Sequence, residues 1–237
     1  TRQEFANIPA GETITFSATA SADYAVHSWT GVTASPPDSA TLSVTANTEV
    51  TVKFYETTLD VNSHTTEAWK KLKERIAAAP SGGTLKISGT IPIQSTTAPG
   101  NSGEIIIDKD LTIEAPSVTA TLDANSNHSG TPPADAPATK HRIFRVKDGK
   151  TLTLKNLTLI NGYAGKSTVD NLGTTGGGIR LESGTVSLSG VTISGCKAIT
   201  TPASVGSGSW HGDGGGIYVV SGNIIMENTT LSENDAS

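Results

Sequence analysis

Residues 176–198 read GGGIRLESGTVSLSGVTISGCKA, and residues 214–236 read GGGIYVVSGNIIMENTTLSENDA. The two stretches align without a gap at a spacing of 38 residues, and apolar residues occupy matching places in both. Segment 144–164 fits the same frame after one extra residue near Lys150, and a weaker copy begins at residue 105. Self-similarity at this period indicates an architecture built from structural repeats.

Each copy contains three short apolar alternations separated by turns that hold glycine. In the copy at 176–198 the alternating pairs are Ile179/Leu181, Val186/Leu188 and Val191/Ile193. A unit this short cannot cover its own apolar face, so successive copies must stack, with each strand about 4.8 Å from its counterpart in the next copy. We therefore predict parallel, in-register pairing that places Ile179 beside Ile217.

The same stacking predicts columns of outward side chains. They are Thr158, Thr192 and Thr230; Ile106, Arg145, Arg180 and Tyr218; Thr112, Thr153, Ser187 and Ile225; and Glu114, Lys155, Ser189 and Glu227. A calcium-dependent polysaccharide lyase or a glycoside hydrolase needs several carboxylates close together. The only column with two carboxylates holds them at least two strands apart, so catalysis is disfavoured and no catalytic residue is identified.

The predicted fold class is mainly β, a right-handed parallel β-helix with an N-terminal capping α-helix and a small N-terminal antiparallel β module. Period-two alternation over residues 1–57 predicts the module as a four-stranded unit. Apolar residues at steps of three and four predict the helix at 65–79, which would cover the open end of the β-helix at 58–237. Leucine-rich repeats fit less well because the repeats contain no helical segment. The β-helix is expected to continue beyond Ser237.

Two stretches resemble known families. Gly11 to Phe16, Trp29 to Val32 and Val50 to Phe54 resemble the divergent InlB B-repeat modules of bacterial surface proteins. Residues 68–91 are similar to the entry into pectate-lyase-like β-helices, and residues 122–125, 144–146 and 157–162 continue this resemblance. The Gly-Gly-Gly-Ile copies are similar to polymorphic outer-membrane-protein repeats of bacterial adhesins. These resemblances imply a surface protein with a spacer-like N-terminal module, and they bring no catalytic residues.

Charge and composition limit the classes of ligand and partner that the chain is expected to bind. The formal net charge is -5, which disfavours a nucleic-acid ligand because phosphate binding requires clustered Lys and Arg. The sequence contains no apolar run of 18 residues, so no membrane span is predicted. The chain begins at Thr1 without a signal peptide, so we expect a mature or trimmed product. The single cysteine, Cys196, and the spacing of the five histidines predict neither a disulfide nor a metal site, and no cofactor is indicated.

Three insertions, at 124–142, 165–175 and 199–213, leave the repeats at one predicted corner, where binding residues tend to lie. The candidate binding residues are Tyr163, Asp170, Trp210, His211 and Asp213, together with the Arg145/Arg180 stack on the neighbouring face. An arginine stack suits an acidic sugar, although Glu182 is placed to neutralise it. The simpler explanation, which the sequence favours, is a loop folded on itself, with Trp210 shielding the core.

These observations lead to three hypotheses for function. The first is a non-catalytic, adhesin-like protein, extracellular or on a bacterial cell surface, that binds a host protein or a glycan. The second is a polysaccharide lyase or hydrolase on the same fold. The third is a structural spacer without a ligand. The fold alone does not choose among them, because the same architecture hosts both enzymes and binding surfaces.

Overall fold

The computed structural model describes residues 7–34, 38–60, 67–93, 103–116, 119–124, 141–164, 175–199 and 213–236. Within these ranges the chain forms many short strands and one α-helix. In chain order the elements are β1 (Thr13–Ser17), β2 (Tyr24–Thr30), β3 (Thr33–Ala34), β4 (Ser39–Ser43), β5 (Thr51–Glu56), β6 (Thr58–Asp60), α1 (Ala68–Ala78), β7 (Gly83–Ser88), β8 (Thr90–Pro92), β9 (Ile105–Ile107), β10 (Leu111–Glu114), β11 (Ala120–Asp123), β12 (Phe144–Val146), β13 (Lys150–Lys155), β14 (Leu157–Ile160), β15 (Tyr163–Ala164), β16 (Ile179–Leu181), β17 (Gly184–Ser189), β18 (Thr192–Ser194), β19 (Lys197–Ala198), β20 (Ile217–Val219), β21 (Asn223–Glu227), β22 (Thr230–Ser232) and β23 (Asp235–Ala236).

Three parallel sheets dominate the fold. Their strand orders are β21-β17-β13-β10-β7-β6, β22-β18-β14-β11-β8 and β20-β16-β12-β9. Each of the last three repeats contributes one strand to each sheet, and a short parallel sheet β15-β19-β23 follows at the corner. Ile179 pairs with Ile217 and Phe144 with Ile179, both in parallel. The predicted in-register pairing of the repeats is confirmed.

The inward residues of the three large sheets form one apolar core. Alternation places Leu152 and Leu154 of β13 inside, and Thr153 between them is half-buried on the outer side. Phe144 from the four-stranded sheet and Leu157 from the five-stranded sheet belong to the same cluster and are fully buried. Because aromatic residues are scarce, burial of many aliphatic side chains supplies most of the driving force for folding.

The predicted columns of outward residues are confirmed. Thr158 lies beside Thr192, and Thr192 beside Thr230. Arg145 likewise lies beside Arg180, and Arg180 beside Tyr218. Corners between sheets use left-handed backbone: the φ angles are 55° at Asn156, 63° at Gly190 and 49° at Asn228. Asparagine and glycine tolerate this conformation, which explains why they share one repeat position.

Helix α1 covers part of the same core. Its buried residues Ala68, Trp69, Leu72 and Ile76 recur at steps of one, three and four, as an amphipathic helix requires. The indole Nε1 of Trp69 donates a hydrogen bond of 2.9 Å to the Gly103 carbonyl. Helical conformation ends at Ala78, and Ala79 before Pro80 is extended, as expected for a residue that precedes proline.

The fold class predicted from the sequence is wrong as a description of this chain. In the part of the chain that the structure describes, the strands are divided among six sheets, of six, five, four, three, three and two strands. Strand β6 precedes α1 and extends the six-stranded sheet beyond β7, so the helix does not simply cap a single β-helix that begins after it. The structure is a mostly β fold with several parallel sheets and one helix packed against them. Repeats predict which strands pair, but they do not predict how the non-repeated segments complete the sheets.

The N-terminal antiparallel module is also corrected. Strands β1, β4 and β3 form one sheet, and β2 pairs with β5 in another, instead of the single four-stranded unit that alternation suggested. Alternation shows which side chains share a face, but it does not choose a pairing partner. Tyr55 of β5 is buried, and its hydroxyl accepts a hydrogen bond of 3.3 Å from the Thr84 amide, which joins this sheet to β7.

The thiol of Cys196 gives a direct probe of this packing. Burial raises the pKa of Cys196 from 9.0 to about 11, although the Gly162 amide donates a hydrogen bond to Sγ and acts in the opposite direction. At pH 8 only about one thousandth of the thiol would be thiolate, which is the reactive form. We expect Ellman's reagent to label Cys196 at least about a hundredfold more slowly in the folded chain than in urea. Labelling at equal rates would contradict the burial.

The same pKa shift makes a prediction about alkaline stability. The folded-state pKa of Cys196 lies above its ordinary value of 9.0, so its contribution to stability is complete below pH 9 and is lost as pH rises through about 11. The loss is about 3 kcal/mol at most, because each unit of pKa corresponds to about 1.4 kcal/mol. Cys196→Ala is the control, and urea melts at pH 8 and pH 11 should show a smaller alkaline loss for it than for the parent chain.

Candidate binding surface

Six charged side chains and one tyrosine lie together on the outer side of the four-stranded sheet. We call this group the arginine surface. It consists of Glu104, Arg142, Arg145, Lys147, Arg180, Glu182 and Tyr218. In β12, the buried residues Phe144 and Val146 flank Arg145, and in β16 the buried residues Ile179 and Leu181 flank Arg180. Strand alternation therefore turns both guanidinium groups outward, and parallel pairing places them on adjacent strands.

Arg142 is the most deeply buried charge of the arginine surface. Its side chain is 6% exposed, and its Nη1 lies 2.6 Å from Oε2 of Glu104. Its Nε donates to the Gly176 carbonyl at 2.9 Å, and its Nη2 donates to the Thr175 carbonyl at 2.8 Å. A buried guanidinium needs this degree of hydrogen bonding to offset its desolvation. Arg142 thus ties the start of β12 to the corner that precedes β16.

Arg145 lies between two carboxylates. Its Nη1 is 3.5 Å from Oε1 of Glu104, and its Nη2 is 2.6 Å from Oε1 of Glu182. Its Nε also donates to Oε1 of Glu182. Lys147 approaches the other oxygen of Glu182 at 4.0 Å. The sequence-based expectation that Glu182 neutralises part of the arginine stack agrees with this geometry.

Arg180 occupies the centre of the column. Its Nη1 donates to the hydroxyl of Thr175, and its Cζ lies 5.5 Å from the centroid of the Tyr218 ring. Burial is the largest cause lowering the pKa of Arg180, followed by the positive charge of Arg142, whereas the carboxylate of Glu182 acts in the opposite direction. Burial and the neighbouring arginines therefore oppose the charged form of the guanidinium, whereas Glu182 and Tyr218 favour it.

The structure brings together only some of the predicted site residues. Arg145 and Arg180 are neighbours on adjacent strands. Asp213 is exposed, and its backbone forms an isolated parallel β-bridge with Thr175, the residue that contacts Arg180. Tyr163 is half-buried on the short sheet β15-β19-β23, and its amide donates to the His141 carbonyl next to Arg142. The other three candidates, Asp170, Trp210 and His211, lie outside the described residues.

Sequence reasoning did not select Arg142, Glu104 or Thr175. One signal was present for Arg142. Because Phe144 pairs with Ile179, Arg142 occupies the repeat position of Gly177, in a place where later copies have consecutive glycines. A basic residue at a glycine position of a repeat marks a local change of structure. Glu104 gave no comparable signal, because the register that pairs Ile105 with Phe144 does not place Glu104 directly beside Arg142.

Two features are absent from the described residues, a cluster of metal ligands and a membrane-spanning helix. In that part of the chain, no three or more His, Cys, Asp or Glu side chains lie close enough together to hold a metal ion. No helix there is long and apolar enough to cross a membrane.

Comparison with known proteins does not identify a family for the chain. No protein-family model matches it, and no match was found among curated proteins or solved structures. The likeness of the repeats to polymorphic outer-membrane-protein repeats, and of the N-terminal strands to B-repeat modules, therefore stays a prediction. Any functional conclusion has to rest on the arginine surface itself.

Proposed function

We propose that this chain is a non-catalytic, adhesin-like protein, extracellular or on a bacterial cell surface, and that it binds a host protein or a glycan through the arginine surface. The observation on which the proposal depends is the adjacent pair Arg145 and Arg180 beside the Tyr218 ring. Arginine and tyrosine are enriched where proteins bind partners, because both combine apolar contact area with directed hydrogen bonds.

Local charge supports a binding role. The chain has a formal net charge of -5, yet on the arginine surface the basic residues Arg142, Arg145, Lys147 and Arg180 outnumber the carboxylates Glu104 and Glu182. Both carboxylates form ion pairs with arginine. They therefore hold Arg142 and Arg145 in position, and a surface rich in basic side chains favours an anionic partner.

The rigid support of the surface also favours binding. Arg145 and Arg180 extend from paired strands whose opposite faces lie in the fully buried core, so their backbones have little freedom to move. Side chains held in place by packing and ion pairs lose less entropy when a ligand binds. A preorganised surface of this kind is typical of recognition.

The test measures binding and catalysis on the same protein. Purified chain would be applied to a glycan array and to immobilised extracellular-matrix proteins, and any ligand that binds would be titrated against Tyr218→Ser and the control Tyr24→Ser. Tyr24 is exposed on a different sheet. We expect Tyr218→Ser to weaken binding by about tenfold, the effect of losing one aromatic contact, and Tyr24→Ser to leave it unchanged.

Three results would contradict the proposal. The first is the absence of saturable binding to every glycan and protein tested, which would favour a structural spacer. The second is equal binding by the two tyrosine variants, which would place the ligand elsewhere on the molecule. The third is release of unsaturated or shortened oligosaccharides from a polysaccharide substrate, which would show that the chain is a lyase or a hydrolase.

A further inference from the structure

The last repeat, residues 214–236, contains most of the large apolar side chains that are exposed in the described ranges. Five of the eight belong to it: Val219, Val220, Ile225, Met226 and Leu231. Met226 pairs with Leu188, and Leu231 pairs with Ile193, and both of these partners are buried. Met226 and Leu231 therefore occupy inward positions of the repeat, and their exposed faces extend the apolar core to the edge of the stack.

Ile225 and Val220 are exposed for a different reason, because they occupy outward positions. The outward column that contains Ile225 holds polar residues in the earlier repeats: Thr112, Thr153 and Ser187. Val220 occupies the place of Glu182, since the Val220 amide donates to the Leu181 carbonyl at 2.8 Å and the Glu182 amide donates to the Val146 carbonyl at 3.0 Å. Packing of the core does not require apolar residues at outward positions, so this change indicates a surface that a partner covers.

The two ends of the stack offer different surfaces to a partner. Strands β20, β21 and β22 each stand at the edge of a parallel sheet, so alternate backbone N–H and C=O groups have no neighbouring strand in the described part of the chain. At the other end, α1 packs against β6 and β8 and covers the core with Trp69 and Leu72. The surface that matches the edge of the last repeat is therefore the same edge on a second copy, which gives a closed two-fold contact.

Strand β21 is suited to pair with itself. A two-fold axis through its centre would place Ile225 opposite Ile225 of the second copy, both on the outer face. The same register would place Ile224 opposite Met226 on the inner face, where Ile224 already packs against the core. At the ends of the strand, Asn223 would lie opposite Glu227, so a neutral amide faces each carboxylate and no like charges meet.

We infer that two copies of this chain associate through the edges of β20, β21 and β22, with β21 of one copy antiparallel to β21 of the other. In this dimer β20 of each copy faces β22 of the other, which brings Val219 of one copy towards Leu231 of the other and closes the shared core. An interface that continues a core in this way is typical of stable homodimers. The inference concerns the edge of the stack and does not depend on a ligand of the arginine surface.

The molar mass of the full chain in solution is the first test. Sedimentation and light scattering at about 1 and about 100 µM should show a dimer whose fraction rises with concentration. Ile225→Lys should raise the dissociation constant by at least about tenfold, because it removes an apolar contact and sets two positive charges directly opposite each other. Phe54→Lys is the matched control, since Phe54 is an exposed apolar residue of β5 in another sheet, and it should dimerise like the parent chain.

Cross-linking tests the position of the two-fold axis. In an antiparallel ladder, directly opposite Cα atoms lie about 4.5–5.5 Å apart, which suits a disulfide. In a Cys196→Ala background, mild oxidation of Ile225→Cys should therefore yield a covalent dimer. Ser187→Cys is the control in the same column: it lies one strand further from the edge in each copy, so its two sulfur sites would be about 14 Å apart and should not cross-link.

Substitutions at Asn223 test the register. Asn223→Lys would place a positive charge opposite Glu227 of the second copy at two symmetric places, and it should tighten the dimer by about threefold to tenfold. Asn223→Glu would place like charges there and should weaken the dimer by a similar factor. Both effects should shrink at high salt.

Four results would overturn the inference: a monomer at every concentration, an assembly that grows beyond two copies, a dimer that Ile225→Lys leaves intact, or equal effects of the two Asn223 substitutions. Thermal melts would accompany each measurement. If Ile225→Lys unfolds at the assay temperature, the cross-linking of Ile225→Cys against Ser187→Cys decides. A monomer that binds a glycan or a protein through the arginine surface would reject the dimer and leave the proposed function in place.

Discussion

Replacing Gly177 by alanine is expected to destabilise the fold by about 4 kcal/mol or to prevent folding, because a new methyl group would be forced into rigid backbone. A Cβ at this position would overlap the Lys197 carbonyl oxygen and would lie 2.6 Å from the Gly215 carbonyl oxygen. Real Cβ atoms do not approach backbone this closely. Lys197 is paired with Tyr163 across β15 and β19, and the Gly215 carbonyl accepts a hydrogen bond from the Gly178 amide, so neither carbonyl can move without breaking these contacts. The free energy of unfolding in urea measures the effect.

Gly149→Ala is the matched control for this experiment. Gly149 has a φ of 71° and no atom within 4 Å of the position where a Cβ would lie. Its substitution therefore tests backbone conformation alone, with an expected loss of about 1 kcal/mol. If the two alanine variants unfold at the same urea concentration, the close approach of chain segments at Gly177 is contradicted.

Replacing Trp69 by alanine is expected to lower the free energy of unfolding by about 4 kcal/mol, the usual result of emptying a large buried aromatic site. Trp69 is fully buried, and its indole donates to the Gly103 carbonyl, so the substitution removes both packing and a hydrogen bond between α1 and the segment that leads into β9. Trp69→Phe keeps most of the apolar contact and should lose about 2 kcal/mol.

Glu74→Ala provides the control within the same helix. Its side chain is 44% exposed and forms surface ion pairs with Lys70 and Lys71. Such pairs contribute little, so the change should stay within about 0.5 kcal/mol. Far-UV circular dichroism in urea is the suitable measurement for these variants, because fluorescence would itself change when a tryptophan is removed. A Trp69→Ala variant as stable as Glu74→Ala would show that α1 does not contribute to the core.

The contacts of Arg142 show what the repeat pattern could not predict. The repeat frame assigned Arg145 and Arg180 to one column correctly, since both occupy the same place between two inward apolar residues. The repeat pattern also assigned Arg142 a position. Its hydrogen bonds to Glu104 and to the Thr175 carbonyl, however, depend on the conformation of its long side chain at the corner. Periodicity describes which face a residue occupies, and it contains no information about how a long side chain turns.

The N-terminal region shows a second limit. Alternation in β1, β2, β4 and β5 predicted strands, but β1 pairs with β4 and β2 with β5, in two sheets. Pairing between strands that are not adjacent in sequence depends on how their faces pack, which local patterns do not specify. Three of the loop candidates, Asp170, Trp210 and His211, lie outside the described residues, so their part in binding remains the prediction made from sequence.

By itself the sequence determined which residues face the core and which strands of successive repeats pair, because side chains alternate with period two and the copies recur at 38 residues. Only the tertiary structure decided the fold class, the sheet partners of β1 to β6 and the ion pairs that hold the arginine surface in place. Repetition makes neighbouring copies interact through equivalent positions, so their contacts follow from the pattern. Segments outside the repeats, and charged side chains that cross between strands, take partners set by three-dimensional packing.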